Sequence, residues 1–208
     1  LVTTEAPKAK YQLRETSKIE TQEEMLKNLE MSYGMHDKII ERCKKQNIEF
    51  LSTAFDTESL NYLVSLGIKR IKIPSGEITN LFLLEEAAKF NLEIILSTGM
   101  SNMNEIEQAL EVLFKNGVKN NQITLLQCTT NYPASINDAN LNVLGTLSKT
   151  FNVSVGLSDH TMGINVSIAA AALGSRVIEK HFTLDRAYSG PDHAASLEPN
   201  ELTTCLLY

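Results

Sequence analysis

The chain has 208 residues, 43% hydrophobic and 21% charged, with a net charge of −6. That is an ordinary balance for a globular protein long enough to bury a core. No basic patch marks a nucleic-acid partner, the longest apolar run (Ile168–Leu173) is too short to span a bilayer, and Leu1–Lys8 lacks the apolar core of a signal peptide.

The first twenty residues are polar and weakly periodic, and read as a loop. Thr21-Gln22-Glu23-Glu24 is a capping-box pattern that starts a helix running to about Met31. A second helix is expected from His36 to about Gln46. From there short apolar runs alternate with helical patterns. Strands are expected at 48–53, 70–73, 93–97, 123–127, 153–156 and 177–180. Helices are expected at about 57–66, 80–90, 103–116, 140–149 and 164–173, between the successive strands. Strands this apolar, separated by helices, indicate a parallel sheet covered by helices. No Gly-x-Gly-x-x-Gly run follows any strand, so a dinucleotide-binding fold has no support.

Polar residues end nearly every strand: Thr53, Ser75, Ser97, Thr129, Ser158 and His181. A ring of functional groups at the strand ends is the habit of a (β/α)₈ barrel. Six β/α units are legible where a barrel needs eight, so an α/β, TIM-barrel fold is expected with its first two strands missing from this chain. Three cysteines, Cys43, Cys128 and Cys205, have an odd count and no ligand spacing. They read as reduced thiols of a cytoplasmic protein, with Cys128 structural in a strand.

The strand-end residues sort into two chemical sets. Lys72, Ser75, Ser97 and Ser158, with Gly76 and Gly99 allowing close backbone approach, suit an anion. Alternation turns Lys72 opposite to Ile71 and Ile73, toward the barrel interior, where it needs an anionic ligand or a partner such as Glu179. His160, His181, Glu77, Tyr132, Asp159 and Asp192 suit a metal and a polyol or carbonyl. Two of only four histidines end successive strands, and together they can hold one divalent ion. Either histidine could instead cap a strand or pack in the core. Asp192 could be a plain turn residue, and His193 a third ligand or a surface histidine. Phosphate binders beside a carbonyl-polarising metal suggest condensation of a phosphorylated donor with an aldehyde.

Seven segments in order, Phe50–Asp56, Lys72–Glu77, Leu96–Met100, Cys128–Pro133, Gly156–Thr161, Glu179–Thr183 and Gly190–His193, resemble the N-acetylneuraminate (sialic acid) synthase family, including legionaminic and pseudaminic acid synthases. The resemblance implies a TIM barrel that condenses phosphoenolpyruvate with N-acetylmannosamine or a related acetamido-hexose. The products would be a nine-carbon 2-keto acid and phosphate. It implies Mn²⁺ or Mg²⁺ held by His160 and His181, and phosphoenolpyruvate held by Thr53, Lys72, Ser75, Ser97 and Ser158, with Thr130 and Asn131 in a further substrate-binding stretch. Glu77, Tyr132 and Asp192 would hold the sugar, with Glu77 a candidate for proton transfer, and Glu179 would support the site from below.

The family begins with a strand carrying a Glu and a His-Asn-Gly turn, then a phosphoenolpyruvate-binding Lys, and this chain has neither. The family ends in a small antifreeze-like domain that lends an Arg to the neighbouring subunit of a homodimer, and no such segment precedes Tyr208. Residues 1–208 are therefore expected to be a partial barrel domain with little turnover alone. Two alternatives are another phosphoenolpyruvate- or aldol-type barrel enzyme and an inactive remnant.

Overall fold

The computed structural model describes residue 3, residues 5–15 and residues 20–207. The remaining N-terminal positions of the expected loop lie outside the described residues. Two compact units are present, one made of Leu1–Leu51 with Ser189–Pro191, the other of Ser52–Tyr188 with Asp192–Tyr208.

The first unit carries α1 (Gln12–Glu15), α2 (Gln22–Leu29) and α3 (Tyr33–Gln46). The short α1 interrupts what its polar sequence marks as loop. The capping box forms as read: the Glu24 amide donates to Thr21 Oγ1, and the Thr21 amide to Glu24 Oε2. In α3, His36 is buried with Nδ1 3.1 Å from the Ser32 carbonyl and its ring edge-on to Phe50.

The second unit runs α4 (Thr57–Ser65), β1 (Arg70–Ile73), α5 (Leu81–Lys89), β2 (Glu93–Ser97), α6 (Met103–Lys115), β3 (Ile123–Cys128), α7 (Asn142–Phe151), β4 (Ser154–Asp159), α8 (Asn165–Ala172), β5 (Ile178–Lys180) and α9 (Pro199–Leu206). The five strands form one parallel sheet in chain order, β1 to β5. The expected strand at 48–53 is reduced to a single bridge, Thr53 to Lys72. Its hydrophobic residues Ile48 and Leu51 are exposed, so no burial supports a longer ladder. Helix α9 is not among the expected elements; Pro199 at its first position and the Glu198–Glu201 capping box set its start.

The side chains of one face of the sheet, Ile73, Ile94, Leu96 and Leu125, are fully buried, as are Leu84, Leu110, Leu113 and Leu144 of the helices α5, α6 and α7. Burial of each such side chain contributes about 1.5–3 kcal/mol. The opposite face is set by register. Lys72 pairs with Ile95, Ser97 with Leu126, Cys128 with Ser158, and Ser158 with Glu179. Alternation then lines Lys72, Ser97, Cys128, Ser158 and Glu179 on one surface. β1 and β5 are the two ends of the strand order, yet Lys72 Nζ lies 3.6 Å from Glu179 Oε2. The sheet therefore curls into a half-barrel with these side chains inside.

Gly156 is required by this packing. A Cβ there would collide with the Val177 carbonyl and lie 2.6 Å from Leu126 Cδ2.

Candidate active site

The anion set gathers at the strand ends inside the half-barrel. Lys72 is 7% exposed and donates to Ser97 Oγ (2.9 Å) and to the Ile73 carbonyl (3.2 Å). Burial pushes its ammonium below the usual lysine range, and Glu179 and Cys128 oppose that shift. The partner expected for this lysine is present: Lys72 Nζ lies 3.6 Å from Glu179 Oε2, with Ser97 as a second neighbour. Glu179 Oε1 accepts from Ser158 Oγ at 2.6 Å. Thr53 is brought to Lys72 by its bridge.

Ser75 opens a 3₁₀ turn, Ser75–Glu77, after β1. Its Oγ accepts from the Gly99 amide (3.0 Å) and lies 3.1 Å from Cys128 Sγ. The same amide points to Cys128 Sγ at 3.1 Å. Cys128, read from sequence as a plain strand residue, thus joins the site. Its inward register was the signal that could have placed it there. A Cβ on Gly99 would fall 2.5 Å from Cys128 Sγ and 2.9 Å from Thr130 Cγ2, so this glycine lets three strand ends converge. Met100 beside it has φ 66°, a left-handed conformation unusual for a non-glycine residue.

The two strand-end histidines meet. The His160 and His181 ring centroids are 5.5 Å apart, and Tyr132 contacts both, tilted against His160 at 4.1 Å and edge-on to His181 at 5.4 Å. The Tyr132–Pro133 peptide is cis. His160 is 6% exposed, and its Nδ1 lies 2.6 Å from the Thr129 carbonyl, which fixes Nδ1 as the protonated nitrogen and leaves Nε2 as the electron-pair donor. Burial pushes the His160 ring toward its neutral form, the Thr129 bond opposes this, and His181 adds to the lowering. Ser158 Oγ, 3.4 Å from His160 Nε2, joins the anion and histidine sets.

Asp192 Oδ2 is 3.9 Å from His181 Nδ1, and Asp192 Oδ1 is buried without a hydrogen-bond partner. An orphaned oxygen on a carboxylate beside the His181 imidazole fits a cation or a ligand hydroxyl. Among the described residues no three His, Cys, Asp or Glu side chains group closely enough to cage a metal. A centre held by two imidazoles would therefore keep open positions for substrate, as catalytic metals do.

Other expected residues lie differently. Glu77 is held by Asn80, whose Nδ2 donates to Oε2 at 2.7 Å while its Oδ1 caps α5 through the Leu83 amide. Asn131 is exposed. His193 bonds Thr183 Oγ1 (2.8 Å) and packs edge-on to Tyr188, which accounts for it without a metal. Asp159 is a correction: alternation turns it away from the histidines, where it accepts from Thr161, Ser167 and Lys180. Burial pushes this carboxyl up, but the bonds from Ser167, Lys180 and Thr161 outweigh it and hold the group below the usual aspartate range.

The sequence matches the NeuB family over residues 1–206. The chain belongs to that family, the sialic acid synthases. It is 57% identical over 201 residues to an N,N'-diacetyllegionaminic acid synthase of Campylobacter jejuni, covering 97% of this chain and 60% of that protein. A second N,N'-diacetyllegionaminic acid synthase, from Legionella pneumophila, is 45% identical over 204 residues, covering 97% and 57%. The fold is similar to that of an N-acetylneuraminic acid synthetase from Leptospira borgpetersenii, with TM-score 0.85 and 36% identity over 95% of this chain and 68% of that one. The chain thus spans about 60% of the length of these curated relatives. Among the described residues no helix is long and apolar enough to cross a membrane.

Proposed function

We propose that the protein condenses phosphoenolpyruvate with a diacetamido-hexose aldehyde, giving an N,N'-diacetyllegionaminic-type nine-carbon 2-keto acid and phosphate. The observation that carries this reading is the continuity of Lys72, Ser97, Glu179 and Ser158 with the facing His160–His181 pair. The two-acetamido acceptor follows from the products named for the two legionaminic relatives.

Lys72, Ser75, Ser97 and Ser158 bind the phosphate and carboxylate of the donor, with Thr53, Thr130 and Asn131 at the border of that pocket. His160 and His181 would hold Mn²⁺ or Mg²⁺, the mixed imidazole and oxygen donors leaning to Mn²⁺. Such an ion polarises a carbonyl when bound. Tyr132 and Asp192 orient the acceptor beside the histidines. C3 of phosphoenolpyruvate then bonds to the aldehyde carbon, and the aldehyde oxygen takes a proton. Glu77, its carboxylate steadied by Asn80, is the candidate for proton transfer. Water adds to C2, and the C–O bond to phosphate breaks. Glu179 holds Ser158 and Lys72 in place around that carbon.

The eight-stranded closure, the antifreeze-like domain and the homodimer belong to the same proposal for the whole protein. So does a cytoplasmic location, where Cys43, Cys128 and Cys205, all free here, stay reduced. Turnover in ¹⁸O-water tests the chemistry. One ¹⁸O in the keto acid and none in the released phosphate is expected. Label in the phosphate would mean P–O cleavage and refute it.

A further inference from the structure

Asp159 and Lys180 face each other in the last registered pair of the β4–β5 ladder, each one residue before a histidine. Beyond that rung the strands part. The His160 carbonyl accepts from the Ala134 amide, and the His181 carbonyl from the Leu197 amide. The carbonyls of the two imidazole-bearing residues are thus tied to different segments. What spans them lies on the opposite face. Lys180 Nζ donates to Asp159 Oδ2 (2.9 Å), just before His160, and to the Thr161 carbonyl (2.6 Å), just after it. The cation from β5 therefore brackets His160 on both sides. Asp159 in turn accepts from the Thr161 amide and hydroxyl and from Ser167 of α8. The Asp159 side chain is fully buried and that of Lys180 is 7% exposed, so the link is shielded from water.

We infer that the Asp159–Lys180 pair is the positioning element that sets the separation and facing of the His160 and His181 rings. The metal part of this inference rests on the function proposed above; the placement of the rings does not. Neither residue touches substrate. They act through the peptides of their neighbours, as partners behind metal ligands act on affinity.

Stability and positioning separate in a double-variant design. Lys180→Met alone strands a buried carboxylate and lowers the melting temperature. Lys180→Met with Asp159→Asn removes both charges and recovers most of that loss. Positioning predicts that the full-length double variant still binds Mn²⁺ roughly 10- to 100-fold more weakly than wild type. Its phosphoenolpyruvate affinity should stay within about twofold, because Lys72 and Ser97 are untouched. The metal-free ring signals of His160 and His181, read by ¹⁵N NMR, should shift in the same variant. A double variant with recovered melting temperature and unchanged ring signals would overturn the inference, whatever Mn²⁺ does. Wild-type protein that binds no Mn²⁺ through these histidines would refute the metal reading instead, and the ring signals would still decide the positioning.

Discussion

Lys72 and Glu179 come from opposite ends of a five-stranded sheet and still meet, ammonium to carboxylate, at 3.6 Å. The curl that brings them together also collects Ser97 and Ser158 around one point. Replacing Lys72 by Met should cost about 2–5 kcal/mol of phosphoenolpyruvate binding, roughly 30- to 5000-fold in affinity. The melting temperature should not fall. A desolvated ammonium is removed, and Glu179, whose side chain is 41% exposed, keeps its contact with water. Calorimetric titration and a thermal melt on one variant check both halves.

The same lysine gives a pH signature. Its folded-state pKa lies below the ordinary 10.5, so the unfolded chain holds this proton more tightly. The cost of burying the charge is complete below the folded pKa and fades as pH rises through it toward 10.5. Wild type should therefore gain stability relative to Lys72→Met across that alkaline window. Paired melts from neutral pH to 10.5 should show the gap between the two proteins narrowing.

Gly99→Ala should destabilise the protein by about 1–3 kcal/mol, since a methyl group at this position overpacks the junction of three strand ends. It should also raise the KM for phosphoenolpyruvate several-fold by moving Ser75. Adding Cys128→Ala removes the sulfur 2.5 Å from the new methyl and should return part of both losses. Steady-state kinetics with denaturant unfolding of the single and double variants measures the coupling.

Asp192→Ala should leave stability unchanged or slightly raised, because it deletes a buried oxygen that has no partner. The KM for the acceptor should rise roughly tenfold or more, on the scale of one lost charged hydrogen bond, with that for phosphoenolpyruvate little changed. Acceptor titrations at saturating donor distinguish this from a general loss of activity.

Most of the site was legible because a parallel strand exposes its chemistry by alternation. Lys72, between two isoleucines, could only face inward once the outer face of its strand was apolar, and Glu179 shares a side with His181 two residues on. The same rule, applied one residue on, would have turned Asp159 outward. Its proximity to His160 in sequence obscured that. Cys128 acts through a partner distant in sequence, Gly99, and a contact of that kind is fixed by register rather than by local pattern. Asn80 meets Glu77 only three residues away, through the geometry of the turn before α5. The segment at 48–53 has the composition of a strand, but its edge pairing forms only at Thr53, which composition cannot reveal.

Phosphate release from phosphoenolpyruvate by the full-length protein, with Mn²⁺ and a panel of mono- and diacetamido-hexoses, tests the central claim most directly. The account predicts release that requires a diacetamido-hexose and is lost in both His160→Ala and His181→Ala. No release with any acceptor, from folded protein that still binds Mn²⁺, would contradict it.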